Sequence, residues 1–467
     1  MKPTLLLATS ALLLLTGCVM GPKYERPNQP LPDQFRGAPA PAGNADSKSI
    51  ADTKWFDLFQ DDTLRRLVET SLQQNFDVRI AAERVLEARA QVGITRAGLY
   101  PELDAQASFT SARSSSIGQF QFAPNTPLSS SYTQAGLSLS WEIDLWGRVR
   151  RLTEAARAQY LASEDARNGV ILSLISDVMT NYFTLRERDL ELEIGQRTRD
   201  VAEHNLRLIQ LRKERGSSNG LEVHQAEQFL YTATAQIAAT ERSITQTEDA
   251  LNLLMGQAPA DVPRGKTLEE FRDAPELPAG LPSSLIERRP DIRQAEENLI
   301  AANAQIGAAR ALFFPQISLT GFLGGQSQPL LALFSSPAHL ANIGPSMTTP
   351  IFHAGIRAGL HLTEEQRREM LLAYQKAIYG GLREVSDALV VHSRTRDQRH
   401  EEEKLVTALS ESVRLSELRY RGGLDSYLQV LDAERNLFGG QLTLAELRLQ
   451  ELESVIQLYR ALGGGWQ

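Results

Sequence analysis

The last quarter of the chain, residues 351–467, contains no proline, and that absence constrains the fold more than any other feature. A proline inside a helix costs about 3 kcal/mol, so so long a stretch without one can be helical almost throughout. Its one break is Arg421-Gly422-Gly423, where adjacent glycines can take a turn that other residues resist. Past the break, apolar residues recur at Leu424, Leu428, Leu431, Phe438, Leu442, Ala445, Leu449, Leu452, Ile456 and Tyr459, a heptad seam that only Arg435 interrupts. Such a seam requires a neighbouring helix. Before the break, a helix from about Gly359 to Tyr420 would extend roughly 90 Å at 1.5 Å per residue. Ordinary globular helices are far shorter. The chain builds rods.

The rod occurs twice. At a constant offset of 207, Leu206–Glu227 matches Val413–Glu434 at nine of 22 positions, among them Gly216/Gly423, Leu221/Leu428 and Glu227/Glu434. At an offset of 214, Asp77–Pro101 matches Asp291–Pro315 at 11 of 25 positions. Two collinear blocks with nearly equal offsets identify a tandem duplication of one unit of about 200 residues. The first repeat spans 61–258 and the second 291–467, with a proline-bearing connector at 259–290. Each repeat is expected to carry a long helical hairpin, at about 148–256 and 356–462, and the halves turn at Gly216–Gly220 and at Gly422-Gly423.

Ahead of each hairpin the apolar period changes from 3.6 to 2. Leu103, Ala105, Ala107 and Phe109 alternate with polar residues, as do Ala135, Leu137, Leu139, Trp141 and Ile143. The second repeat has Ile317, Leu319 and Leu323, then the weaker run Ala341, Ile343, Met347 and Ile351. These runs predict β-hairpins at about 102–145 and 315–352, with strands of the length of tilted membrane strands. Two hairpins packed on a soluble core would show the same alternation. Four strands cannot close a barrel, and lipid tolerates no open edge, so membrane strands here would have to be pooled from several chains.

Residues 1–17 read as a signal peptide: Lys2, an apolar run Leu5–Leu15, then Leu15-Thr16-Gly17-Cys18, which looks like a bacterial lipobox with Cys18 as the acylated residue. A chance cysteine after an ordinary signal peptide is the alternative. Residues 18–60 are rich in proline and read as an extended tether. Asp62-Thr63 can cap the first helix. The single cysteine excludes an internal disulfide framework, and a net charge of −8 argues against nucleic acid as partner.

Several motifs together resemble one family. Gly21-Pro22-x-Tyr24-x-x-Pro27 after the lipobox, Trp55-Phe56-x-x-Phe59, Arg288-Arg289-Pro290-Asp291 and the terminal Leu462-Gly463-Gly464-Gly465-Trp466 are similar to those of TolC-like outer membrane efflux lipoproteins serving resistance–nodulation–division pumps. The resemblance implies a mainly α fold with a membrane β-barrel. In it a homotrimer pools four strands per chain into a 12-stranded barrel in the outer membrane lipid, above a periplasmic helical tunnel. It also implies a passive exit duct that docks on a periplasmic adaptor and an inner-membrane transporter. The family's periplasmic aperture pattern matches Tyr420, Gly423 and Asp432, with Leu428 and Arg435 as companions, and with Glu222 as the acidic position of the first repeat. An ordinary Asp432–Arg435 surface pair is the structural alternative.

No enzymatic constellation or cofactor motif is present. The seven histidines are scattered and read as solvated helix positions. Gly321-x-x-Gly324-Gly325 lacks the Lys-Ser/Thr of a phosphate loop and reads as a flexible strand end. Two other functions share parts of this pattern: a type I protein-secretion duct, and a periplasmic coiled-coil adaptor lipoprotein, which would carry no amphipathic strands. A metal-efflux duct is a narrower variant, disfavoured by only six methionines and no Met or His cluster.

Overall fold

The computed structural model describes residues 19–37, 55–115, 117, 127–271 and 282–464. Cys18 and Trp466 lie outside them. The chain runs α1 (Trp55–Phe59), α2 (Asp62–Gln74), α3 (Phe76–Ala97), β1 (Glu102–Arg113), β2 (Ser129–Ile143), α4 (Arg148–Glu214) and α5 (Gly220–Leu254). It continues with α6 (Leu285–Arg288), α7 (Pro290–Ala311), β3 (Gln316–Ser327), β4 (His339–Thr348), α8 (Ala354–Arg421) and α9 (Tyr427–Ala461). The long helices α4 and α8 have 67 and 68 residues, and α5 and α9 have 35 each. Ion pairs one turn apart, such as Arg368–Glu365, Lys404–Glu401 and Arg414–Glu411, line the exposed face of α8. Each is worth only a few tenths of a kcal/mol.

One compact unit holds Val85–Ser163, Ala295–Tyr374 and the described part of Met1–Asn28. Its sheet is antiparallel in the order β1-β2-β3-β4, which leaves β1 and β4 as free edges. The register lines up Ala105, Leu137, Leu323 and Ala341 across the four strands. The face that carries them is apolar and open: Leu103, Phe109, Leu137, Leu323, Ile343 and Met347 are all exposed. On the other face Gly136 stands opposite Gly324. A Cβ on Gly136 would lie 2.6 Å from the Gly324 Cα and 2.7 Å from the Phe322 ring. Gly136 and Gly324 therefore make room for a buried phenylalanine, and Gly321, Gly324 and Gly325, expected at a flexible strand end, all lie within β3. At the foot of the sheet Trp146 stacks on Phe314, with centroids 4.8 Å apart, and donates from Nε1 to the Pro315 carbonyl. The N-terminal segment has no regular structure, yet it is packed rather than free. Tyr24 and Arg26 donate to Glu296, and Arg151 donates to the Met20 and Gly21 carbonyls.

The second unit holds the described parts of Gln29–Arg84, Glu164–Gln294 and Gln375–Gln467. Asp61, not Asp62, caps α2, accepting from Thr63 N and Leu64 N. It also accepts from the Tyr182 hydroxyl at 2.7 Å and from Lys266 N at 3.0 Å. Burial alone would raise its pKa, but these hydrogen bonds hold the carboxyl below its ordinary value. The motif Arg289-Pro290-Asp291 meets the end of α9: Arg289 donates to the Ala461 carbonyl, to Asp291 and to Glu384. Gly463, at φ 76°, closes against the Arg288 carbonyl, where a Cβ would come within 3.0 Å. Of the histidines, His392 is half-buried and 2.9 Å from Ser454 Oγ, so it is not a solvated position.

Candidate functional site

The candidate site is the pair of turns that joins α4 to α5 and α8 to α9, with the helical face just beyond. Both turns are built alike. Ser217 N donates to Arg212 O and Gly216 N to Lys213 O; at the same offset Leu424 N donates to Arg419 O and Gly423 N to Tyr420 O. This pattern ends a helix with one left-handed residue, which glycine takes without strain. Gly216 and Gly423 supply it, at φ 76° and 73°. Gly220 and Gly422, expected as turn residues too, have no positive φ, and Gly220 is the first residue of α5. The turns are fastened differently. Asn219 caps α5 through Glu222 N, and Ser218 Oγ donates to Glu222 Oε2 at 2.5 Å. In the second turn Arg419 grips Asp425 with two hydrogen bonds, at 2.5 and 3.1 Å.

Behind the turns lies an apolar cluster drawn from α4, α5 and α9. It includes Ile209, Val223, Phe229, Tyr427, Leu431 and Phe438. Tyr420 packs at its margin, 5.6 Å from the Tyr427 ring and under the Arg212 guanidinium at 4.5 Å. The helix α9 thus shows two faces where the sequence suggests one seam. Tyr427, Val430, Leu431, Glu434 and Phe438 point inward, whereas Leu428, Asp432 and Arg435 are exposed. The latter three are spaced by four and three residues and form one outward stripe. Within the chain Asp432 accepts from Asn436 Nδ2 at 3.3 Å, and Arg435 makes no ion pair among the described residues. The Asp432–Arg435 pair, the alternative to an aperture role, is not formed within the chain among the described residues. Nor does the acidic position repeat at Glu222: its side chain belongs to the α5 cap, and the 207-residue offset puts Gln225 at the counterpart of Asp432.

The buried face holds a group that the heptad pattern hides. Glu434 is 6% exposed, and its Oε1 accepts from Asn205 Nδ2 at 2.6 Å, while Oε2 has no hydrogen-bond partner among the described residues. Burial, reinforced by the Glu417 carboxylate, pushes its pKa up to about 7. Burial, then the charge on Glu434, likewise raises the Tyr427 hydroxyl. The one available signal was the identity of Glu227 and Glu434 in both repeats, an acid recurring next to an apolar seam.

Among the described residues no cluster of three or more His, Cys, Asp or Glu side chains that could hold a metal ion occurs. An exposed stripe at the end of paired rods, next to a firmly held turn, suits contact with another polypeptide or the lining of a passage. Comparison with known proteins shows the family. The model of the outer membrane efflux protein family matches residues 67–257 and 281–464. The chain is 40% identical to the solvent efflux pump outer membrane protein SrpC of Pseudomonas putida, over 98% of this chain and 97% of that one. It is 35% identical to the cation efflux system protein CusC of Escherichia coli, over the full length of both. Its fold matches the open-state MtrE outer membrane channel of Neisseria gonorrhoeae with a TM-score of 0.84 and 34% identity, covering 96% and 99% of the two chains. The rods, the amphipathic sheet and the duplicated tips are therefore those of a transport family rather than an enzyme family, and the chain belongs to the outer membrane efflux proteins.

Proposed function

We propose that three copies of this chain form one duct, pooling 12 strands into an outer membrane barrel and ending in a tunnel of long helices. The observation that carries this is the sheet: four strands of 10–15 residues, an open apolar face and two unpaired edges. A bilayer accepts such edges only when they are closed by further strands. In this reading the tip carries the periplasmic aperture. Three copies of Asp432 ring the axis, Leu428 and Arg435 border it, and Tyr420 with the turn glycines holds the stripe in place. A periplasmic adaptor docks at the helical end, and an inner-membrane resistance–nodulation–division transporter supplies the energy. Cys18 carries a lipid anchor; Cys18→Ser should then abolish fatty-acid incorporation, and unchanged acyl labelling would refute it.

The cargo is proposed to be small organic toxicants, in line with the solvent pump named above. The full-length similarity to a cation efflux protein favours a second reading, export of metal cations. Deletion of the gene and complementation decide between them. Restored tolerance of toluene and lipophilic drugs supports the first, and restored tolerance of metal cations alone supports the second. Heat-resistant trimers in outer membrane fractions test the duct itself, and a monomeric periplasmic protein would refute it.

A further inference from the structure

The duplication extends to element boundaries. The bounds of α3 and β1 recur in α7 and β3 after 214 residues, and those of α5 recur in α9 after 207. Trp146, two residues ahead of α4, stacks on Phe314 at the α7–β3 corner, with ring planes 27° apart. The matching pieces of the other halves are Ile351-Phe352, also just ahead of α8, and Leu99-Tyr100 at the α3–β1 corner. In the single chain these are left open: Ile351 is 98% exposed, Phe352 93% and Tyr100 58%. They sit at the foot of β4 and β1, the two free edges.

We propose that Phe352 of one copy stacks on Tyr100 of the next, repeating between chains the clasp that Trp146 and Phe314 make within each, and so setting the register in which β4 pairs with β1. This rests on the trimeric duct reading. Continued past its last pair, the β2–β3 ladder puts Trp146 opposite Phe314. If Phe352 stands opposite Tyr100 in the same way, Met347 faces Ala105, Pro345 faces Ala107 and Ile343 faces Phe109, so apolar side chains stay with apolar ones. A slip by one residue would set each against a polar residue. Barrel closure then compares this register with the one two residues further along β1. The row Ala105, Leu137, Leu323, Ala341 then continues at Ser111 of the next copy. Three such steps make a stagger of about 18 residues over 12 strands, a tilt of about 46° at 3.3 Å rise and 4.8 Å spacing. The competing register copies the hairpin stagger, in which Leu103 pairs with Leu139 and Ile317 with Met347, and puts Met347 opposite Ala107. It needs about 24 residues and a tilt of about 54°, further from the 35–45° usual in barrels. The aromatic clasp accordingly selects the less inclined barrel.

Cysteine pairs in the full-length protein, oxidised in outer membranes, test the register. Ala105→Cys with Met347→Cys samples one face and Gln106→Cys with Ser346→Cys the other, since only one face holds the closer-spaced pairs. Covalent trimers from at least one of them, and none from Ala107→Cys with Met347→Cys, are expected. Phe352→Ala and Tyr100→Ala should each lower the temperature at which the detergent-resistant trimer dissociates. The double variant should fall no further than the worse single, and Phe352→Trp should match the wild type. Cross-linking in the competing register overturns the proposal, as does additive loss in the double variant, while trimers in either case leave the duct reading standing. A protein that forms no trimer at all overturns both.

Discussion

Glu434→Gln should remove a pH dependence from the tip of the helical hairpins. The carboxyl is buried, and among the described residues Asn205 is its one donor and Oε2 meets none. The charged form therefore suffers the loss of water without full replacement. Its pKa rises from 4.5 to about 7. At about 1.36 kcal/mol per unit, ionisation inside the fold works against it by up to roughly 3 kcal/mol. The sign follows from proton binding. Between pH 4.5 and about 7 the folded tip holds a proton that the opened tip releases, so stability declines as pH rises through that window and levels off above it. Local opening should then be as much as ~100-fold more frequent at pH 8 than at pH 5. The glutamine keeps an acceptor for Asn205 and carries no charge. In hydrogen exchange corrected for the intrinsic pH effect, peptides covering Asn205, Tyr427 and Glu434 should lose protection with pH in the wild type, and in the variant should stay flat and more protected at pH 8. An equal pH slope in both proteins would refute the assignment, because the slope would then belong to another group.

Other outcomes follow from the same structure. Leu139→Arg, on the apolar face of β2, should cost about 2–4 kcal/mol near the bilayer midplane, and Ser138→Arg on the other face far less, read as trimer yield. Gly423→Ala should destabilise the second turn by about 1 kcal/mol because an L residue is strained at positive φ, whereas Gly422→Ala should be nearly neutral, with its nearest would-be contact at 3.4 Å; hydrogen exchange at the turn separates them. Asp432→Asn should weaken cation selectivity in planar bilayers, seen in reversal potentials, and Asp432→Ala with Arg435→Ala should raise the resting conductance. Unchanged recordings would make the stripe a plain exposed face.

What was legible in the sequence is what depends on neighbours along the chain. Proline-free runs gave the rods, period two gave the strands, and the glycines marked both turns, because helix termination and strand pleat are local matters. What was not legible depends on which distant segment arrives. The heptad count put Leu424 and Leu428 in the seam, yet they are 70% and 48% exposed. Packing against α4 and α5 at once turns α9 so that Tyr427 and Val430 go inward and Glu434 with them. The partner that makes that burial tolerable, Asn205, lies 229 residues away. The packed N-terminal segment is a similar case, since Glu296 and Arg151 hold it and nothing in its proline-rich composition signals them.

The duplication shows how far a repeated sequence determines its setting. Glu227 and Glu434 occupy the same place in the two repeats, but Glu227 is half-exposed and meets His224 at 2.8 Å, whereas Glu434 is buried against Asn205. The local conformation was copied and the surroundings were not: α5 and α9 feed the same apolar cluster, yet only Glu434 turns its carboxyl into it, against Asn205. The same asymmetry separates Trp146, stacked on Phe314, from Phe352, left open. A contact satisfied in one half and missing in the other is what an incomplete ring leaves at its edge. In the proposed trimer, the unmatched copies, Phe352 and Tyr100 with the edge strands β4 and β1, mark where the next subunit sits.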